Sequence, residues 1–138
     1  MLTVFVIEGD RPSNVEKLKE SFGDLPVTFF VVQQVKQINA FQKETDWYMV
    51  LFDNEYLDKK LLNVLPTFMA QDNLRLLLIQ KKFWDAEGNT AVDESPRMFR
   101  KDVVLEDNST MPEDRFSFNP DNMTRILDGW IFDDRSAL

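Results

Sequence analysis

The sequence predicts an α/β fold built on a mainly parallel sheet with flanking helices. Two observations predict it. Short runs of β-branched and aromatic residues recur at 3–7, 27–32, 47–52 and 74–79. Segments with helical spacing of apolar residues separate them. Strands alternating with helices imply βαβ units with right-handed crossovers. The 138 residues suit one domain, with a doubly wound α/β part at 1–82 and an irregular α+β C-terminal part at 83–138.

Thr3 to Ile7 reads as a buried strand that stops at Glu8-Gly9-Asp10. Arg11-Pro12-Ser13-Asn14 opens a helix capped by Ser13 or Asn14, with Val15, Leu18 and Phe22 toward the sheet. Gly23 and Pro26 end it, and the second strand follows to Val32. The stretch 35–43 reads as a two-turn helix, and 47–52 as the third strand. A helix over 57–70 buries Leu61, Leu62, Leu65, Phe68 and Met69, with a kink or break at Pro66. The fourth buried strand is 74–79. Beyond Lys82 the pattern loosens: short extended pieces at 98–100 and 103–105, a polar loop at 107–114, a half-buried strand at 115–119 and a terminal helix over 122–130.

Composition removes whole classes of chemistry. The chain has no Cys and no His, which excludes disulfides, thiolate nucleophiles, Cys/His zinc sites and imidazole triads. A general base would have to be Asp or Glu, less often Lys or Tyr, and any metal would be held by oxygen. The formal charge of −8 disfavours nucleic acid and attracts basic partners. No apolar run approaches the roughly 20 residues of a membrane span, and no basic region precedes the first apolar run, so the expected location is cytoplasmic.

The most informative stretch is 46–57, where the apolar run from Trp47 to Phe52 ends in Asp53-Asn54-Glu55. A buried strand ending there places two carboxylates at its carboxyl end, the ligand-binding end of an open α/β sheet. Two hard oxygen ligands so placed could hold Mg²⁺ or Mn²⁺ against a diphosphate. An ordinary acidic turn after a core strand is the competing reading.

Several pieces in order resemble the family 2 glycosyltransferases of the GT-A (Rossmann-like) fold. Asp10-Arg11-Pro12 after the first strand is similar to that family's Asn-Arg-Pro start. Asp46-Trp47, the apolar strand and Asp53-Asn54-Glu55 resemble its Asp-Trp-(apolar)-Asp-x-Asp-Glu segment, with Glu55 in place of the second Asp. Pro96-Arg97-Met98-Phe99-Arg100 resembles its Pro-Arg-Leu-Phe-Arg stretch. The resemblance implies a nucleotide-sugar site: Asp53 and Glu55 on a divalent cation, and Asp10, Arg11, Asp53, Arg97 and Arg100 near the nucleotide. It also implies an acceptor base, for which Glu106, Asp107, Glu113 and Asp114 are the candidates. The chain departs from the family in lacking a carboxylate after the second strand, where Gln33-Gln34 stand, and in its short acceptor region. Transfer itself therefore stays open.

Two other readings compete. Glu8, Asp10 and Asp53 resemble the acidic cluster of a response-regulator receiver, although Gln80 stands where a hydroxyl belongs. The other is a small acidic non-catalytic interaction protein, of a phage or accessory kind, docking on a protein partner. Its support is the segment 126–134, where Ile126, Leu127, Trp130, Ile131 and Phe132 lie among Asp128, Asp133 and Asp134. Packing of those aromatics into the domain's own core is the alternative.

Overall fold

The computed structural model describes residues 1–9, 13–84 and 87–133. Seven strands form one mixed sheet: β1 (Leu2–Ile7), β2 (Val27–Val32), β3 (Trp47–Phe52), β4 (Glu55–Leu57), β5 (Leu76–Trp84), β6 (Thr90–Arg100) and β7 (Met123–Asp133). Their order is β2-β1-β3-β6-β5-β7-β4. The β1–β2, β1–β3 and β5–β7 pairs are parallel, while β3–β6, β5–β6 and β4–β7 are antiparallel.

This overturns the expected GT-A-like, mainly parallel sheet with flanking helices. Strand makes up 42% and helix 20% of the structure, and the sheet curls into a half-barrel. The cause lies after β5. The chain turns back as the long strand β6, which inserts between β3 and β5 in place of direct parallel pairing. The expected terminal helix is β7, and the expected strand at 115–119 is a 3₁₀ turn over Arg115–Ser117. Met123, Ile126, Leu127 and Trp130 fit a helical stripe, but β5 and β4 offer ladder partners on both sides of this segment. Tertiary pairing outweighs a local period of this kind.

Two α-helices remain. Helix α1 (Val15–Glu20) is capped by Asn14, whose side chain accepts from the Lys17 N–H at 3.1 Å. Helix α2 (Lys59–Met69) is capped by Asp58 and continues through Pro66 without a break. The segment 35–43 forms a 3₁₀ helix, Val35–Ala40, rather than an α-helix. Both α-helices pack on the same face of the sheet. Leu18, Phe22, Leu61 and Leu65 meet Val4, Val6, Met49, Leu51, Leu77 and Ile126 there. The opposite face, with Phe5, Tyr48, Val50 and Phe99, is covered by Val35 and Ile38 of the 3₁₀ helix and by Val103 and Leu105 of the long loop. Strict alternation along β1 and β3 produces this division, because successive side chains of a strand point to opposite faces.

A bulge in β7 redirects the chain. Ile79 pairs with Ile126 and Lys81 with Ile131, so Leu127, Asp128 and Gly129 are extra residues on β7. The Gln80 amide donates to the carbonyls of Leu127 (3.1 Å) and Gly129 (2.9 Å) and holds the bulge. Gly129 has φ +85°, and a Cβ there would lie 2.3 Å from the Leu61 backbone nitrogen. Gly129→Ala is therefore expected to lower unfolding free energy by about 2 kcal/mol or more, from positive φ and backbone overlap together. Urea denaturation measures the loss, and a midpoint equal to wild type would show the contact to be slack.

Candidate functional site

Asp53, Asn54 and Glu55 connect the end of β3 to β4. They are 1%, 3% and 1% exposed, so all three side chains are buried. The Asp53 N–H donates to the Ile7 carbonyl (3.0 Å), and its Oδ2 accepts from the Gly9 N–H (2.9 Å). Asp53 thus closes the turn against the end of β1. Its other oxygen, Oδ1, and Asn54 Oδ1 are buried without a hydrogen-bond partner among the described residues.

Glu55 faces different partners. Arg97 grips it as a fork, Nη1 to Oε1 at 2.7 Å and Nη2 to Oε2 at 2.9 Å. Lys81 Nζ lies 2.8 Å from Oε2, and the Phe52 N–H donates to Oε1 at 2.6 Å. Four donors therefore occupy the roughly four acceptor positions of an ionised carboxylate. Lys81 also reaches Asp133 Oδ2 at 2.9 Å, and the Asn54 amide donates to Asp133 Oδ1. Two cations and two carboxylates balance within this cluster. Burial pushes the Glu55 carboxyl up, but the Arg97 and Lys81 charges and hydrogen bonds outweigh it and hold the group below its usual range.

This corrects the expected metal pair. Glu55 has no acceptor position left for a cation, and Asp53 is directed at β1 rather than toward Glu55's partners. Among the described residues no group of three or more Asp or Glu is placed to hold a metal ion. Arg97 does sit at the predicted carboxyl end, but its guanidinium is committed to Glu55, the Val50 carbonyl (3.2 Å) and Ser95 Oγ (2.9 Å).

The other candidates are dispersed. Arg100 pairs with Trp47, at the opposite end of β3 from Asp53. A six-residue strand spans about 17 Å, so the two residues stand that far apart along β3. Arg100 instead donates to the carbonyls of Leu74 (2.7 Å) and Gln71 (2.8 Å) and stacks 4.3 Å from the Trp47 ring. Glu106, Asp107, Glu113 and Asp114 belong to the loop that leaves β6 at that same end. Tyr48 Oη pins this loop through the Val103 carbonyl at 2.6 Å, and Asn39 pins it through Leu105. Burial pushes the Tyr48 hydroxyl up, with the Asp102 charge adding to the effect. Glu106 pairs with Arg115 (3.5 Å), and Asp114 accepts from Ser117 Oγ (2.9 Å). Asp10, Arg11 and Asp134 lie outside the described residues.

Within the segment expected as a docking strip, residues 126–133 belong to the inner strand β7. Ile126 and Ile131 are fully buried, and Phe132 lies between the rings of Tyr56 (5.4 Å) and Trp84 (6.4 Å). Lys81 and Asp133 are the partners that sequence reading did not bring to Glu55. The available signal was faint: Lys81 follows the apolar run of β5 and Asp133 follows Ile131-Phe132 in β7, and a charge so placed demands a counter-charge when buried.

Two outcomes follow from the cluster. Arg97→Met is expected to lower stability by about 3–5 kcal/mol, because Glu55 stays buried with its main counter-charge gone. A loss under 1 kcal/mol in chemical denaturation would refute this. The second concerns pH. A folded carboxyl held below its unfolded value of about 4.3 stabilises the fold above that value and loses this contribution as pH falls through the folded one. The wild-type melting temperature should fall on acidification from about pH 5, and Glu55→Gln should begin lower at neutral pH and fall less. Parallel melting curves for the two proteins would contradict that role.

No helix among the described residues is long and apolar enough to cross a membrane. No family model matches the chain, and no curated protein matches its sequence.

Proposed function

We propose that this chain is a small acidic, non-catalytic interaction protein that docks on a basic protein surface through the loop at 101–121. One observation carries the reading: Phe116 is 92% exposed in the middle of this acidic loop. The stretch holds Asp102, Glu106, Asp107, Glu113, Asp114 and Asp121 against Lys101 and Arg115. Its net charge of −4 is half that of the whole chain in far less than half its length.

The loop is built to present that ring. The 3₁₀ turn Arg115–Ser117 is closed by the Ser117 N–H on the Asp114 carbonyl (2.8 Å) and by Ser117 Oγ on the Asp114 carboxylate. The Arg115 guanidinium lies 5.2 Å from the Phe116 ring. Val104, 44% exposed, lines a shallow concavity with Asp102, Glu113 and Asp114. An aromatic anchor on an acidic loop suits a partner with an apolar pocket inside a basic rim. The donors that saturate Glu55 favour this reading over a metal-held nucleotide sugar.

A display library of random peptides tests the reading. The protein should enrich sequences that combine Lys or Arg with an apolar residue. Phe116→Ala should weaken the enriched peptides about 10-fold, and 0.5 M salt should weaken them further. Absence of basic enrichment, or unchanged affinity on Phe116→Ala, would reject the docking role. Calorimetry with Mn²⁺ and uridine or guanosine diphosphate sugars should give no metal-dependent heat. A saturable isotherm there would return the chain to nucleotide-sugar binding.

A further inference from the structure

The sheet has two edges, and only one is long. β4 contributes three residues to its edge, whereas β2 exposes six, Val27–Val32. The hydrogen bonds of β1 fix which backbone groups of β2 are in use. The Leu2 N–H donates to the Pro26 carbonyl (3.1 Å) and the Glu8 N–H to the Val32 carbonyl (2.8 Å). In the parallel register Leu2↔Val27 to Ile7↔Val32, every second residue from Pro26 to Val32 thus faces β1. The N–H and C=O groups of Val27, Phe29 and Val31 point outward. Among the described residues no strand pairs with them. The row ends at Gln33, whose N–H, next in the outward phase, donates to Gln37 Oε1 (2.8 Å).

Proteins normally blunt such an edge with charge, proline or a bulge. This strand, Val-Thr-Phe-Phe-Val-Val, contains no charged residue and no proline, and its register with β1 has no bulge. Its exposed apolar side chains lie on both faces: Val31 is 47% exposed on one and Phe30 is 38% exposed on the other.

We infer that the outward edge of β2 pairs antiparallel with β2 of a second copy of this chain, about a twofold axis at Phe29. That register sets Phe29 opposite Phe29 and Val27 opposite Val31, so three outward residues per copy exchange all their hydrogen bonds. Val31 is covered by Val27 of the second copy, and Phe30 lies across from Thr28. A twofold edge contact is self-complementary by construction, and this short palindromic match of apolar residues satisfies it. Charge permits the approach. Over 15–45, which flanks the edge, four Lys balance four Asp or Glu, so this region carries none of the chain's net −8. A basic partner gains nothing here, in contrast to the loop at 101–121. The contact is smaller than the roughly 800 Å² per partner of a stable complex, so the dimer is reversible.

Sedimentation velocity of the full chain over a hundredfold range of concentration tests the inference. The wild type should show a concentration-dependent monomer–dimer equilibrium. Val31→Lys places a charge in the pair, and Val31→Pro removes an outward N–H without touching the β1 ladder. Each should raise the dimer dissociation constant at least 10-fold with an unchanged melting temperature. Amide exchange should slow with concentration at Phe29 and Val31 while Thr28 and Phe30 stay constant. A monomer throughout, a dimer indifferent to both substitutions, or exchange at Phe29 and Val31 that ignores concentration would each overturn the inference. If a Val31 variant misfolds, the wild-type exchange pattern decides alone.

Discussion

The neutralisation of Glu55 organises the carboxyl end of the sheet. The residue begins β4, and its donors come from the end of β3 (Phe52), from β5 (Lys81) and from β6 (Arg97). Lys81 extends the network to Asp133 on β7. Five strands therefore meet through one carboxylate. Buried ion pairs contribute little net stability relative to an apolar core, but a missing partner is heavily penalised. The cluster acts mainly on register: a shift of one residue in β5 or β6 would turn Lys81 or Arg97 to the other face and strand the charge of Glu55.

That same arrangement leaves Glu55 saturated with donors. A carboxylate reserved for a cation needs open coordination positions and access to solvent. Glu55 has neither, while Asp53 serves as the stop at the end of β1. Two surface features elsewhere differ in character. The loop after β6 is acidic with one bare aromatic ring, and the β2 edge is neutral and apolar.

The first half of the fold was legible in the sequence. β1, β2 and β3 are apolar runs bounded by turn residues, and α1 is announced by Asn14 with Val15, Leu18 and Phe22 behind it. Such signals are local. The second half depends on partners distant in sequence. Residues 90–95, Thr-Ala-Val-Asp-Glu-Ser, read as polar and irregular because half of β6 is solvent-facing, yet they pair with β5 residue by residue. β7 satisfies a helical stripe and a strand alternation at once, and only its two neighbours decide between them. At the site, the sequence placed the Asp53-Asn54-Glu55 junction at the carboxyl end of β3, where the structure has it, and it singled out Arg97 as a phosphate contact. Their roles were not legible, because a carboxylate awaiting a metal and one matched to Arg and Lys look identical without the cross-strand register.

The position of β7 has a consequence for how the chain is made. It is the final strand, yet it lies inside the sheet between β5 and β4. During ribosomal synthesis β4 and α2 emerge long before residues 123–133, and among the described residues β4 pairs with β7 alone. The early α/β half can assemble vectorially from local crossovers, whereas closure of the far side waits on contacts across about half the chain. Until then β5 shows an unpaired flank to solvent, and that interval is when a chaperone or a neighbouring nascent chain has its best access.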